Sequence, residues 1–280
     1  MKIDVATQRI LVLQEQLSFD EAKKIAWEKK TNAFDAFSKV AGFFSRPKDE
    51  EFELIYSEHR YQPFWHVVAK ARYVYERNST YQVGVGGKEV RSVTLLETDY
   101  EVTNGHIHVP VVEHCIQEEQ DEVFIDGVSA KNLPSLAEYI KKPFTQVDGA
   151  IEKMISKGAI LVPPQARVSA IMRDSLSKMI KGIVADKIVE EQVEVAVIEL
   201  YYRPVYAFQY AWKVKGKEGI IEIDGVNGSI SSGSRIFREY LGKMLDQDFL
   251  FDIGADAAGM FIPGGSIAVK AARKYMGSKK

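Results

Sequence analysis

Hydrophobic and polar residues alternate along residues 65–71 and again along residues 206–212. In the first stretch the apolar residues alternate with His66 and Lys70, and in the second every other residue is aromatic. A period of two is typical of a strand in a sheet that is covered on one face. The pattern therefore predicts two such strands, with the aromatic row in the hydrophobic core.

Turn-forming residues divide the chain between residues 73 and 112 into further strands. Asn104-Gly105 is the strongest of these turn signals, because both residues tolerate positive φ in a two-residue hairpin. We predict five inserted strands, at residues 73–77, 81–85, 89–96, 100–103 and 106–112.

Helix signals occur in three parts of the chain. Ser18 is a candidate N-cap that is followed by acidic residues, so a helix is expected from there through Trp27. Its apolar spacing resumes at residues 34–44. We expect further helices at residues 134–157 and 165–187.

Two short sequence words occur twice, in the same order. Residues 50–63 and 191–204 align without gaps, and both end in Tyr-x-Pro. Residues 123–128 and 221–226 both contain Ile-Asp-Gly-Val. Repeated words in a conserved order indicate a duplicated supersecondary unit.

Together these patterns predict the α+β fold class, with two related antiparallel-sheet units that carry packed helices. The first unit is expected to be the larger one, because it contains the inserted strands. We predict a first unit at residues 1–132, a helical connector at 133–164, a smaller second unit at 165–245 and an apolar and basic helical hairpin at 246–280.

Asp126 and Asp224 are the two aspartates of the repeated Asp-Gly words. Paired aspartates can share a proton, as they do in aspartic proteases. Here glycine follows aspartate directly, which is typical of a tight turn at the end of a strand. We therefore predict two turns at these positions, and the sequence contains no motif of a catalytic site.

Two segments carry a family resemblance. Residues 19–26, Phe-Asp-Glu-Ala-Lys-Lys-Ile-Ala, resemble the opening helix of PepSY-type modules, and residues 219–230 resemble their closing strand. The resemblance covers about a quarter of the chain. It implies a helix packed on an antiparallel sheet, and a binding or regulatory role rather than catalysis.

Composition excludes some classes of protein. The 280 residues include 37 Lys and Arg against 39 Asp and Glu, so the overall charge does not attract nucleic acid. A single cysteine, Cys115, excludes an intrachain disulfide and favours a reducing compartment. The chain has neither a secretory opening nor the roughly 18–20 consecutive apolar residues of a membrane span, so we expect a cytoplasmic protein.

The histidines suggest a metal site. His106, His108 and His114 have the same strand parity, and Cys115 adds a thiol. Two imidazoles in a His-x-His pattern lie about 7 Å apart along a strand, which suits zinc or another transition metal. His114 would lie roughly 26 Å from His106 on a straight strand, so a shared site requires a fold-back. The alternative is that His106 and His108 occupy a solvent-exposed face, and no cofactor is predicted on that reading.

Basic residues supply the other candidate binding sites. Arg60 and Arg203 lie within the repeated words and would hold a small anion if they converged. Lys270, Arg273 and Lys274 lie in a C-terminal segment that suits either an anionic membrane surface or a protein partner, unless it packs on its own core.

The functional prediction is a non-enzymatic binding or scaffold protein that acts through protein contacts, at a membrane surface or within an oligomer. The alternative is a metal-binding enzyme or a metal-regulated protein that uses the histidines and Cys115.

Overall fold

The computed structural model describes residues 2–34, 47–148, 151, 155, 156 and 158–232. The strands are β1 (Lys2–Val5), β2 (Arg9–Leu13), β3 (Phe52–Gly84), β4 (Ser92–Leu95), β5 (Thr98–Glu101), β6 (His106–Asp126), β7 (Phe144–Gln146), β8 (Ile160–Leu161), β9 (Lys187–Trp212), β10 (Lys217–Asp224) and β11 (Ile230–Ser232). The helices are α1 (Phe19–Glu28) and α2 (Val168–Met179), and 3₁₀ helices lie at Lys30–Ala33, Asp49–Glu51, Pro134–Lys141 and Lys213–Lys215. No helix among these residues is long and apolar enough to span a membrane.

The predicted α+β fold class is wrong. Strands account for 54% and helices for 19% of the described residues, in which nine strands form one mixed sheet and β4 and β5 form a separate two-stranded sheet. The sheet is not purely antiparallel, because β1 and β2 run parallel to β9 and β8 runs parallel to β3. The short apolar segments β2 and β8 are both members of this sheet. Within the helix expected at 134–157, residues 134–148 form the 3₁₀ helix Pro134–Lys141 and β7 instead.

The chain separates into two compact units, each made of three sequence stretches. Unit 1 contains Met1–Ala6, Val68–Glu122 and Met172–Val197, and unit 2 contains Thr7–Val67, Val123–Ile171 and Ile198–Lys280. In unit 1, α2 packs on β3 through Ala69, Ala71 and Tyr73. The Tyr73 hydroxyl donates to the carbonyl of Met179 at 2.8 Å, which fixes the end of this helix against the strand.

In unit 2, α1 packs on β9 and β10. Ser18 caps the helix, and the Glu21 carboxylate accepts from the Ser18 amide, so the predicted start of the helix is confirmed. Ala22 and Ala26 face the aromatic row of β9 in one hydrophobic cluster. Tyr206 and the other rings of this row are at most 4% exposed, so the prediction that the row belongs to the core is also confirmed.

The two Asp-Gly words form turns with the same hydrogen bonds. The carboxylate of Asp126 accepts from the amides of the second and third residues after it, and so does the carboxylate of Asp224. The backbone carbonyl of each aspartate accepts from the amide four residues on, at 2.9 Å in both turns. The predicted turns are therefore confirmed.

Each turn also holds the segment that leads into a helix. The Gly127 amide donates to the carbonyl of Pro63. In a regular antiparallel ladder, the amide of residue 63 would also donate to the carbonyl of Gly127. Proline has no N–H, and the carbonyl of Gly127 instead accepts from the amides of Gln165 and Ala166, at 2.7 and 3.1 Å. This bond pair connects the turn to the segment between β8 and α2.

The second turn repeats this arrangement with the other helix. Gly225 donates to the carbonyl of Pro204, and its own carbonyl accepts from the amides of Gln16 and Leu17, at 2.8 and 3.2 Å. The Tyr206 hydroxyl donates to the carbonyl of Leu17, as the Trp65 indole donates to that of Ala166 in the first turn. The entry to α1 is thus held by the second turn, and the entry to α2 by the first.

Candidate functional site

Strand β6 has one exposed face along most of its length. From His108 to Gln120 the even-numbered residues are exposed, and the odd-numbered ones are partly buried. Its partner β3 runs in the opposite direction, since residue 63 pairs with residue 127 and Arg72 and Arg77 form ion pairs with Glu118 and Glu113. Unit 1 therefore contains a long antiparallel β3–β6 pair.

The backbone of β6 has a free side. Odd-numbered residues form the ladder with β3, as the bond between the Val85 amide and the carbonyl of Gly105 illustrates. Hydrogen-bonding direction alternates along an antiparallel strand, so the even-numbered residues of β6 point away from β3. Near the ends of β6 these outward groups are bonded, because Phe124 accepts from Leu133 and His106 exchanges two bonds with Thr103.

Residues 108–120 lie between those two bonded ends. Within the described part of the chain β6 pairs only with β3, and the outward backbone groups of residues 108–120 have no backbone partner there. We call this segment the free edge. Pro110 has an even number, so its missing N–H falls on the free edge, where a proline is tolerated in a sheet.

The free edge exposes apolar side chains at its centre. Val112 and Ile116 are 52% and 65% exposed, and His114 lies between them on the same face. Glu118 lies towards one end and His108 towards the other. Long unpaired edges with apolar side chains are templates for pairing with another strand.

The predicted metal ligands lie on or beside this edge. His106, His108 and His114 share the exposed face, whereas Cys115 lies on the opposite face with its thiol 3.9 Å from the carbonyl of Glu113. The strand is continuous, so its rise separates His106 from His114 by roughly 26 Å. His106 Nδ1 lies 2.9 Å from the carbonyl oxygen of Asn104. No group of three or more metal-ligating side chains occurs among the residues that the structure describes.

Arg60 and Arg203 are held by buried carboxylates. Arg60 is fully buried and pairs with Glu58 and Glu222. Burial alone would lower the pKa of the Arg60 guanidinium, but the charges of the two glutamates raise it above its usual value. Arg203 donates to Asp224 at 2.8 Å and to Gln62 at 3.0 Å.

One surface cavity, of about 400 Å³, lies at the free edge beside Pro110 and Val112. Another of about 310 Å³ lies on the β3–β6 sheet face beside Lys70 and Arg72, and one of about 460 Å³ lies against α1 beside Trp27 and Leu54. None of these three cavities is lined by Arg60, Arg203 or the histidines of β6. The remaining predicted binding residues, Lys270, Arg273 and Lys274, and the whole hairpin predicted at 246–280 lie outside the described residues.

Sequence reasoning missed a polar cluster around Glu15. Its carboxylate accepts from the hydroxyls of Tyr61 and Ser156, and the Tyr206 hydroxyl oxygen and His59 Nε2 lie 3.1 and 3.3 Å from it. Burial would raise the pKa of Glu15, but the hydroxyl donors and His59 lower it overall. These residues are scattered along the chain, so no local motif indicated the cluster.

The free edge was also missed, although the shared parity of the histidines identified its exposed face. Comparisons with protein-family models, with curated proteins and with solved structures give no match. The PepSY resemblance stays a prediction.

Proposed function

We propose that this protein is a non-enzymatic binding or scaffold protein that holds a protein partner by strand addition at the free edge of β6. The observation that carries the proposal is the row of outward backbone groups along residues 108–120, which lacks a backbone partner in the described part of the chain. In strand addition, main-chain hydrogen bonds supply affinity and alternate side chains supply specificity.

The side chains of the edge support a selective contact. Val112 and Ile116 supply apolar area, and a partner strand would cover them. Pro110 and acidic residues such as Glu118 discourage indiscriminate pairing, because they interrupt or charge the edge. A long edge that combines apolar residues with a proline and acidic residues suits one specific partner strand. The proposal also places the protein in the cytoplasm, where a single cysteine stays reduced.

A proline substitution tests the backbone directly. Val112→Pro removes one outward N–H and leaves the ladder to β3 intact, as Pro110 already does. Val112→Ala is the matched control, because it shortens the same side chain and keeps the N–H. Peptides selected from a random extended-peptide library for binding to the full-length protein serve as the probe.

Binding of these peptides is measured by fluorescence anisotropy at nanomolar protein. Val112→Pro is expected to weaken it by at least about tenfold, and Val112→Ala by less, because the ring displaces the added strand. The proposal is wrong if the protein is monomeric and selection gives no binding peptide, or if both variants bind the selected peptides as the unmodified protein does.

A further inference from the structure

The free edge is complementary to itself. Residues 108–120 have their midpoint at His114, so an antiparallel pairing of two copies about that residue uses the whole edge of both. From this geometry we infer that the partner strand is β6 of a second copy, with residue i of one protomer opposite residue 228 − i of its partner. This inference rests on the proposed function and names the occupant of the same edge.

The exposed apolar residues match in this register. Val112 of each protomer lies opposite Ile116 of the other, on both sides of a central His114 pair. Cross-strand pairs of β-branched residues stabilise antiparallel sheets, and here each residue covers one that is otherwise about half exposed. The two-fold axis makes each contact occur twice.

The charges of the edge are compatible with the same register. Glu113 lies opposite Cys115, Glu119 opposite Val109, and Glu118 opposite Pro110, so no two carboxylates face each other. Like charges directly opposite destabilise a sheet. The pairing therefore buries the apolar centre without a repulsive pair along residues 108–120.

Other two-fold registers fit less well. The nearest ones centre the pair on Glu113, which places that carboxylate opposite itself, or on Cys115, which places Val112 opposite Glu118. Centring the pair on Ile116 places Glu113 opposite Glu119 of the other copy. Centring it on Val112 places Ile116 opposite His108 and leaves Gln120 beyond the end of the partner's free edge. The register about His114 alone combines full use of the edge with matched side chains.

The backbone spacing of this register is suited to cross-linking. The His114 pair is a hydrogen-bonded pair, with Cα atoms about 5.5 Å apart, which lies within the range that a disulfide spans. The two His108 residues would lie about 40 Å apart, since twelve residues of strand separate them. These two positions therefore report on the register independently of affinity.

Sedimentation equilibrium of the full-length protein tests the dimer. Val112→Lys should weaken dimerisation by at least about tenfold, because it places an ammonium against Ile116 twice. Val83→Lys is the matched control: Val83 is 47% exposed on β3 of the same unit, and its substitution should leave the dimer unchanged. Circular dichroism checks that both variants remain folded.

Cysteine scanning then tests the register. In a Cys115→Ser background, His114→Cys should form a disulfide-linked dimer under mild oxidation, and His108→Cys should not. A dimer that Val112→Lys leaves intact, or one that cross-links equally at both positions, overturns the inference.

The peptide experiment separates the two proposals. If the protein is monomeric at all concentrations but binds selected peptides in a manner that Val112→Pro abolishes, the second copy is wrong and strand addition by another chain stands. If it is monomeric and binds no such peptide, both proposals are wrong.

Discussion

The two Asp-Gly turns have the same backbone and different surroundings. Both bond back to a proline carbonyl, and both hold the entry to a helix through a glycine carbonyl. The buried side chains of the adjoining strands differ, because Arg60 of β3 corresponds to Tyr201 of β9 in the aligned words. The two turns therefore share their backbone bonds, whereas the buried polar groups of the two aligned segments differ.

The two strands pair their buried polar side chains in different ways. Arg60 lies between the buried carboxylates of Glu58 and Glu222. At the corresponding position of β9, the Tyr201 hydroxyl donates to Glu199 at 3.1 Å. The β3 segment thus buries an arginine between two carboxylates, and the β9 segment places a phenol against a carboxylate that Arg9 and His66 also contact.

The largest difference is expected when these two residues are replaced. Arg60→Met leaves two buried carboxylates without their cation and should lower the free energy of unfolding by about 3–5 kcal/mol. Tyr201→Phe removes one hydroxyl and should cost about 1 kcal/mol. Urea unfolding of both variants measures the difference. Equal losses would show that the charged group contributes no more than the phenol.

Adding Glu58→Gln and Glu222→Gln to the Arg60→Met variant is the control. The triple variant has no buried charge at this site and should recover much of the lost stability, because replacing a whole buried ionic group by neutral residues is often nearly neutral.

The turn glycines should respond unequally to alanine. A Cβ on Gly127 would lie 2.6 Å from the carbonyl oxygen of Pro63, whereas one on Gly225 would lie no closer than 3.0 Å to any atom of Pro204. Gly127→Ala should cost about 3 kcal/mol and Gly225→Ala about 1 kcal/mol. Thermal unfolding gives the order, and the reverse order would mean that the second turn is the tighter one.

Two equivalent turn positions adopt the left-handed conformation but carry different residues. Ala130 has φ of 55° in the first turn, and Gly228 has φ of 73° in the second. Ala130→Gly should stabilise the protein by about 0.5–1 kcal/mol, and Gly228→Ala should destabilise it by a similar amount. Denaturation midpoints of the single and double variants test this prediction. The midpoint of the double variant should be close to that of the unmodified protein.

The smallest effect is expected from pH. Burial would raise the pKa of Glu199, but hydrogen bonds from His66 and Tyr201 and the charge of Arg9 lower it overall. A lowered folded-state pKa means that this contribution to stability is complete above the unfolded value of about 4.3 and is lost as the pH falls through the folded value. The difference in unfolding free energy between the unmodified protein and Glu199→Gln should therefore shrink below about pH 4. A difference that stays constant with pH would assign the effect to packing.

Local features of this fold were predictable, and long-range ones were not. The Ser18 cap, the aromatic row of β9 and the Asp126 turn follow from neighbouring residues, and all three predictions are confirmed. The direction of β2 and β8 depends on strands far away in the sequence, so the parallel pairs were missed.

Strand β3 continues through polar residues that look like a turn. Asn78 stays extended because its amide donates to the carboxylate of Asp186 at 2.6 Å, a partner that sequence spacing does not reveal. The candidate site also depends on features that are distant in the sequence. Alternation identifies the exposed face of β6, but the lack of a neighbour beyond it is a property of the whole sheet.

The crossed attachment of the two helices affects the order in which the chain can fold during synthesis. The carbonyl of Leu17 receives its bond from a tyrosine 189 residues later, and the carbonyl of Ala166 receives its bond from a tryptophan 101 residues earlier. The ribosome therefore releases α1 long before it has made β9, the strand on which α1 packs. The apolar face of Ala22 and Ala26 stays uncovered until most of the polypeptide has emerged. Closing so distant a contact is slow, so we expect the packing of α1 on β9 to be completed late in translation.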